Sequence, residues 1–265
     1  NTFDTSPYSI LVVDDNPDMT DFLKRTFEGY FKRIIIAGDG VEALQLVRSH
    51  VPDIIVSDVM MPRMNGYKLC KTIKEDINIS HIPVILLTAR DDRQSQISGY
   101  KNGADGYLSK PFEVEMLMEL IRNRLKNREY TKKRYLNAGL IPTPEESTIS
   151  LTDETFLIKL NSIIQENIDN TNLGIQFICQ EVGLGRSSLY NKLKALTGMG
   201  ANEYISKLRI EKAITLISGT DMPFSEIAEK TGFTTPSYFS TAFKQYTGET
   251  PSQYKERKKK GLADK

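Results

Sequence analysis

Asp14 and Asp15 stand side by side at the end of the apolar run Ile10–Val13, and Asp58 follows a second run, Ile54–Ser57. Adjacent carboxylates repel, and without a counter-charge one of them would take up a proton. A hard divalent cation removes the conflict. Mg²⁺, or Mn²⁺ in its place, binds a few carboxylates, keeps several waters and accepts a phosphoryl oxygen. Beside such an ion a carboxylate can serve as the nucleophile of phosphoryl transfer. Thr88, after the run Val84–Leu87, offers a hydroxyl, and Lys110, after Gly106–Leu108, offers a cation for the new charge. Pro111 makes the next peptide bond a candidate for the cis form, which would aim the lysine inward. Each residue alone reads as a helix cap or a loop residue. Five together, each at the end of an apolar run, read as a site.

The elements that carry these residues must therefore lie side by side. Through residue 125 the chain alternates apolar runs (Ile10–Val13, Ile34–Ala37, Ile54–Ser57, Val84–Leu87, Gly106–Leu108) with amphipathic stretches. Helix-start or turn signals bound the runs: Asn16-Pro17, Gly38-Asp39-Gly40, Asn65-Gly66, Asp91-Asp92 and Pro111. Continuous rather than alternating apolar runs mean strands covered on both faces. Five β-α repeats predict an α/β doubly wound five-stranded parallel sheet with strands one and three adjacent. Such sheets collect function at the carboxyl ends of their strands, where Asp14, Asp15, Asp58, Thr88 and Lys110 all fall.

The pair DD after strand one, D-x-x-M-P-x-M-x-G at 58–66, T-A at 88–89 and Y-x-x-K-P-F at 107–112 resemble the receiver domain of two-component response regulators, a flavodoxin-like fold, over about residues 8–126. The resemblance implies Asp58 as phospho-acceptor, with Thr88 and Lys110 completing the catalytic set. It implies Asp14, Asp15, Asp58 and the Met60 carbonyl as ligands of Mg²⁺ (or Mn²⁺), and Thr88 with Tyr107 as a switch pair. The phospho-donor would be a histidine kinase domain.

Residues 126–150 change character. A basic stretch (Lys126, Arg128, Lys132, Lys133, Arg134) runs into Gly139 and IPTPEEST, read as the end of the fifth helix entering a linker. From Leu151 the spacing is helical throughout. Thr152-Asp153 is expected to cap a helix to about Asp169 and Asn172 another to Glu181, followed by helices near 186–197, 201–218, 224–231, 236–246 and 251–258. This half repeats itself. Ile178, Gly183, Leu189, Leu193, Lys194, Thr197, Gly198 and Tyr204 recur as Ile227, Gly232, Phe239, Phe243, Lys244, Thr247, Gly248 and Tyr254, at an offset of 49 before the turn and 50 after it. Two helix-turn-helix motifs joined by the helix near 201–218 are the economical reading.

In the first repeat a stripe of Leu189, Leu193 and Leu196 faces the core. Arg186, Ser187, Tyr190, Asn191 and Lys194 remain, a basic, hydroxyl and amide set suited to a DNA groove. In the second, Thr235 caps, Pro236 takes the first helical position, Phe239 and Phe243 anchor, and Ser237, Ser240, Thr241 and Lys244 face outward. Ser225-Glu226-Ile227-Ala228 leading to Gly232-Phe233, then SYFSTAFK and TGETPSQY, resemble the AraC-type DNA-binding domain over about residues 155–257. That resemblance implies double-stranded promoter DNA with repeated sites as partner. Asn191 stands where the family often carries arginine, and an amide there would read adenine. KERKKK (255–260) is either a solvated helix end or a phosphate contact.

Bulk properties fit this division. The 265 residues carry a net charge of +1, which argues against disorder and against indiscriminate coating of nucleic acid. Residues 1–125 hold 15 Lys/Arg against 18 Asp/Glu, a net of −3, and residues 126–265 hold 20 against 16, a net of +4. The two cysteines, Cys70 and Cys179, lack metal-ligand spacing and read as buried, reduced thiols. No apolar stretch approaches the ~18 residues of a membrane span, so direct membrane contact by these residues and a location outside the cytoplasm are not expected. Expected boundaries are 1–127 for the receiver, 128–150 for the linker, 151–260 for the AraC-type domain and 261–265 for a tail.

The expectation is a phosphorylation-controlled transcription regulator that forms a homodimer when phosphorylated, not an enzyme beyond phosphorylation of its own Asp58. The chain begins at Asn1 without methionine, and a receiver followed by an AraC-type domain resembles the C-terminal end of hybrid two-component sensors. In that placement the kinase acts in cis and the segment is the cytoplasmic part of an inner-membrane protein. Two rival classes stand beside this reading. One is a phosphorelay or protein-interaction module whose helical half binds protein, and the other is a metabolic phosphatase of the same doubly wound type.

Overall fold

The computed structural model describes residues 3–89, 103–137 and 150–263. Two compact units account for them, one built largely on residues up to Thr155 and the other on those from Phe156 onward.

In the first unit, β1 (Ser9–Val13), β2 (Arg33–Ala37), β3 (Ile54–Asp58), β4 (Val84–Ala89) and β5 (Gly106–Lys110) form one parallel sheet in the order β2-β1-β3-β4-β5. Side chains of a strand alternate between faces, and both faces here are apolar. Leu11, Val13, Ile55, Val84 and Leu86 pack with Ala43 and Val47 of α2 (Gly40–His50) and with Leu69, Cys70 and Ile73 of α3 (Gly66–Glu75). Ile10, Val12, Ile54, Val56, Ile85 and Leu87 pack with Leu23 and Phe27 of α1 (Pro17–Phe27) and with Leu117, Ile121 and Leu125 of α4 (Val114–Asn137). Each fully buried side chain of this kind contributes roughly 1.5–3 kcal/mol. That two-sided burial is why the strands read as unbroken apolar runs. The strands run one or two residues further than those runs, so Asp58 and Lys110 close β3 and β5, and Thr88 lies inside the end of β4. The helix expected after β4 falls on residues outside those described.

Side chains start the helices after β1, β2 and β3. Asn16 accepts from the Asp18 N–H ahead of Pro17, Asp39 accepts from the Val41 and Glu42 N–H groups, and Asn65 accepts from that of Lys68. Caps of this type contribute about 1 kcal/mol each.

The linker begins later than expected. Residues 128–137 continue α4, because no glycine or proline interrupts the chain before Gly139 and Arg128 and Lys132 find partners. Arg128 donates to the Asp53 carbonyl at 3.0 Å, Lys132 pairs with Glu129 at 2.6 Å, and Tyr135 is buried. Residues 138–149, with most of the expected linker, lie outside the described residues.

The second unit is helical: α5 (Leu151–Glu166), α6 (Ile175–Val182), α7 (Arg186–Thr197), α8 (Ala201–Gly219), α9 (Phe224–Lys230), α10 (Pro236–Thr247) and α11 (Pro251–Ala263). Helices α6–α7 and α9–α10 are the two repeats, and α8 joins them. Four boundaries need correction. Helix α5 starts at Leu151 rather than behind Thr152-Asp153, because Ser150 Oγ accepts from the Asp153 N–H at 3.2 Å, and α5 ends at Glu166. Helix α6 starts three residues beyond Asn172, behind Gly174. Helix α11 continues through KERKKK into the expected tail, where Lys255 pairs with Asp221 at 3.2 Å and Arg257 with Glu249 at 2.6 Å. Thr235 caps α10 with Pro236 at its first position, as its sequence predicts, and Gly183, Gly198 and Gly248 end α6, α7 and α10 in the left-handed region.

Cys70 is fully buried, and burial pushes its thiol up to about 12. Since the thiolate is the reactive form, this cysteine is expected to stay silent at pH 8 while the half-buried Cys179 reacts. Ellman's reagent should count one thiol on the native chain and two after denaturation.

Candidate functional site

The sheet delivers the predicted residues to one edge. Strands β1 and β3 are neighbours, so Asp14, following β1, lies beside Asp58 at the end of β3. Asp14 and Asp58 are buried, and Asp15 is exposed. Carboxylate oxygens of the three all lie within 4.8 Å of one another. Lys110 reaches in from the end of β5 behind a cis Lys110-Pro111 bond, and its Nζ sits 2.9 Å from Asp14 Oδ2 and 2.6 Å from Asp58 Oδ1. The backbone N–H of Met60 donates to Asp58 Oδ2 at 3.1 Å, and that of Asn16 to Asp14 Oδ1 at 2.9 Å.

The electrostatics follow from this crowding. Burial pushes the Asp58 carboxyl above the usual aspartate range, although Lys110 and the Met60 N–H oppose the rise. Burial works against the Lys110 ammonium too, but its hydrogen bonds to Asp58 and Asp14 prevail and hold its pKa above the usual lysine value. The ammonium thus occupies the gap between two carboxylates. A purely oxygen donor set with one exposed member suits a hard divalent cation, so the residues present fit such an ion.

Thr88 is buried on β4, and among the described residues its Oγ1 has no hydrogen-bond partner. The register pairs Leu86 with Tyr107 and Thr88 with Ser109, which puts Thr88 and Tyr107 on the same face of neighbouring strands. Tyr107 is half-buried and packs against the core. The Met60 side chain is 73% exposed, in keeping with a role for its backbone alone.

Sequence reasoning did not single out the residues that hold the Asp58–Gly66 loop. A Cβ on Gly66 would come within 2.2 Å of the Asp58 carbonyl oxygen, and one on Gly40 within 2.6 Å of the Met64 carbonyl oxygen. Arg63 at φ +61° forms an ion pair with the buried Asp39. The glycine closing the 58–66 pattern was the signal: only a residue without a side chain lets α3 start against β3.

In the helical unit, Arg186, Ser187, Tyr190 and Asn191 line one groove of about 370 Å³ with Ile175, Leu189 and Ala201. Lys194 is exposed beyond it. Leu189, Leu193 and Leu196 are buried, as the stripe predicts. On α10, Pro236, Ser237, Thr241 and Lys244 are exposed and Ser240 is half-buried. The Thr241 hydroxyl donates back to the Ser237 carbonyl at 3.1 Å. Two residues depart from the simple outward-polar pattern. Lys192 is fully buried with its Nζ 5.2 Å from the Phe156 ring centre, and Tyr238 is 54% exposed with its ring edge-on to Phe233.

A doubly wound sheet with this edge, followed by paired helix-turn-helix motifs, defines a class of signalling protein. Residues 10–122 match the family of response regulator receiver domains, and residues 178–257 match a helix-turn-helix domain family. The chain belongs to the response-regulator receiver family and carries an AraC-type helix-turn-helix domain. It is 41% identical over 94% of its length to histidine kinase P4 of Formosa agariphila, of which it spans 18%. It is 36% identical over 57% of its length to response regulator MprA of Mycobacterium sp. strain KMS, of which it spans 70%. It is also 36% identical over 51% of its length to the DNA-binding response regulator MtrA of Mycolicibacterium smegmatis, of which it spans 58%.

The geometry sets opposite expectations for two variants. Asp14→Ala removes a carboxylate, and even a supporting partner of a metal site is worth about 10–100-fold in affinity. Mn²⁺ binding, read by water-proton relaxation, is expected to weaken by at least about tenfold in this variant. Lys110→Met removes an ammonium that competes for the same oxygens and is expected to tighten binding.

Proposed function

We propose that this chain is a phosphorylation-dependent DNA-binding transcription regulator with Asp58 as its phospho-acceptor. The observation that carries the reading is Lys110 Nζ held between Asp14 and Asp58 at 2.9 and 2.6 Å: a cation already stands where a new anion would need it. One oxygen of Asp58 attacks the phosphorus of a phosphohistidine on a kinase domain. The N–P bond breaks, the imidazole nitrogen keeps the electron pair and takes up a proton, and Asp58 becomes an acyl phosphate. Asp14, Asp15, Asp58 and the Met60 carbonyl would hold Mg²⁺, which when bound neutralises the phosphoryl oxygens. Lys110 pairs with the added charge of about −1.5 to −2. The buried Thr88 hydroxyl turns to the phosphoryl group, and Tyr107 on the same face repacks. Dimerisation or release of the helical unit follows, and paired motifs occupy repeated sites, one per turn of the duplex.

The match to only 18% of histidine kinase P4 supports placing these residues within a longer hybrid sensor with the kinase in cis, and the order of receiver before helix-turn-helix domain favours its C-terminal end. A kinase and ATP-binding domain encoded directly upstream is the expected gene arrangement. A start codon just before Asn1 would sink that placement.

Incubation with acetyl phosphate and Mg²⁺ is expected to phosphorylate the native chain, and Asp58→Ala or excess EDTA to abolish labelling. Labelling that survives Asp58→Ala refutes the acceptor. In gel-shift titrations, affinity should fall linearly on a log–log plot against salt, by about 0.9 decades per decade of salt for each phosphate contacted. Failure to shift promoter DNA even at low salt would favour a helical unit that binds protein.

A further inference from the structure

Arg209 lies midway along α8, the helix that joins the two repeats, yet it is 9% exposed and faces inward. Its Nε donates to the Ile168 carbonyl at 3.2 Å and its Nη2 to the Asn170 carbonyl at 2.7 Å. Both carbonyls belong to the segment that leads from α5 into α6, the entry to the first helix-turn-helix. The same guanidinium also meets the turn of the second. Its Cζ is 5.9 Å from the Phe233 ring centre, and a Cβ on Gly232 would fall 2.7 Å from Nη2 and 2.3 Å from the Ile168 carbonyl oxygen. Gly232 has φ +70°, so no other residue fits that turn without strain. Phe233 in turn packs on Phe239 of α10, with ring centres 5.3 Å apart.

We infer that Arg209 is a positioning residue that fixes the spacing and phase of α7 and α10, the second helices of the two repeats, so that the protein accepts one separation of its half-sites. A planar guanidinium donates to two carbonyls while its face rests on an aromatic ring. An ammonium is a point donor and cannot make the same three contacts. A second clasp supports α10 on the same helix, where the Tyr246 hydroxyl donates to Glu211 Oε1 at 3.2 Å. The inference rests on the proposed DNA binding, but its failure looks different from the failure of that reading.

The test takes the full chain, treated with acetyl phosphate and untreated, and selects bound duplexes from a random double-stranded pool. The native chain is expected to enrich two half-motifs at one spacing. Inserting one base pair between them should weaken binding about tenfold or more, comparable to losing a base contact. Arg209→Lys, which keeps the charge, should retain both half-motifs and its thermal transition, but lose discrimination so that the insertion costs less than about twofold. Phe233→Leu, which keeps both hydrogen bonds, should fall between. Should Arg209→Lys fail to fold, Phe233→Leu decides by the same ratio. An unchanged insertion penalty in the deciding variant, or a native chain that enriches the half-motifs at many spacings, overturns the inference while DNA binding stands. Failure of the native chain to enrich any motif overturns DNA binding itself and the inference with it.

Discussion

Three carboxylates forced to one end of a sheet are the constraint on which the sheet unit depends. Nothing in the strands themselves favours this. The carboxylates are there because β1 and β3 must be neighbours to bury both apolar faces, and the chain's next residues after those runs are acidic. The fold holds the repulsion in check with a single ammonium, Lys110, delivered from two strands away. A buried carboxylate pair without that cation would titrate upward, and Asp58 already shows the pull of burial against the lysine. A site held together by a replaceable cation is suited to exchange. Under the proposed function, a metal ion or a phosphoryl group would each enter by taking over part of the role the ammonium now fills.

The two units meet the same problem, keeping several side chains in fixed relation, by different means. In the sheet, hydrogen-bonded register does it: Thr88 opposite Ser109 and Leu86 opposite Tyr107 leave the hydroxyl and the ring no choice of face. In the helical unit no ladder connects the two repeats. A long helix and the contacts along it must serve, and there a buried arginine contacts both the backbone carbonyls that lead into one repeat and the glycine-aromatic turn of the other.

Much of this was legible in the residues because burial on both faces leaves unbroken apolar runs and because strand ends are where such sheets act. The acidic cluster, Lys110, Thr88 and the doubled helix-turn-helix all followed from pattern and spacing. What was missed has a common cause. Arg128 and Arg209 read as generic basic residues, because their partners are backbone carbonyls far along the chain that no local pattern announces. For the same reason α4 runs ten residues past the boundary expected at 127. Ser150 escaped notice as a cap because Thr152-Asp153 offers the same chemistry two residues on. Gly66 and Gly232 were quoted as parts of motifs, but the close approaches that require them exist only in three dimensions.

The account turns on where a phosphoryl group goes. Borohydride reduces an aspartyl phosphate to homoserine, so treating the chain with acetyl phosphate and Mg²⁺, reducing it, and mapping its peptides locates the acceptor directly. The account predicts homoserine at position 58 and nowhere else. Homoserine at Asp14 or Asp15, or unmodified aspartate at all three positions after labelling, would contradict it.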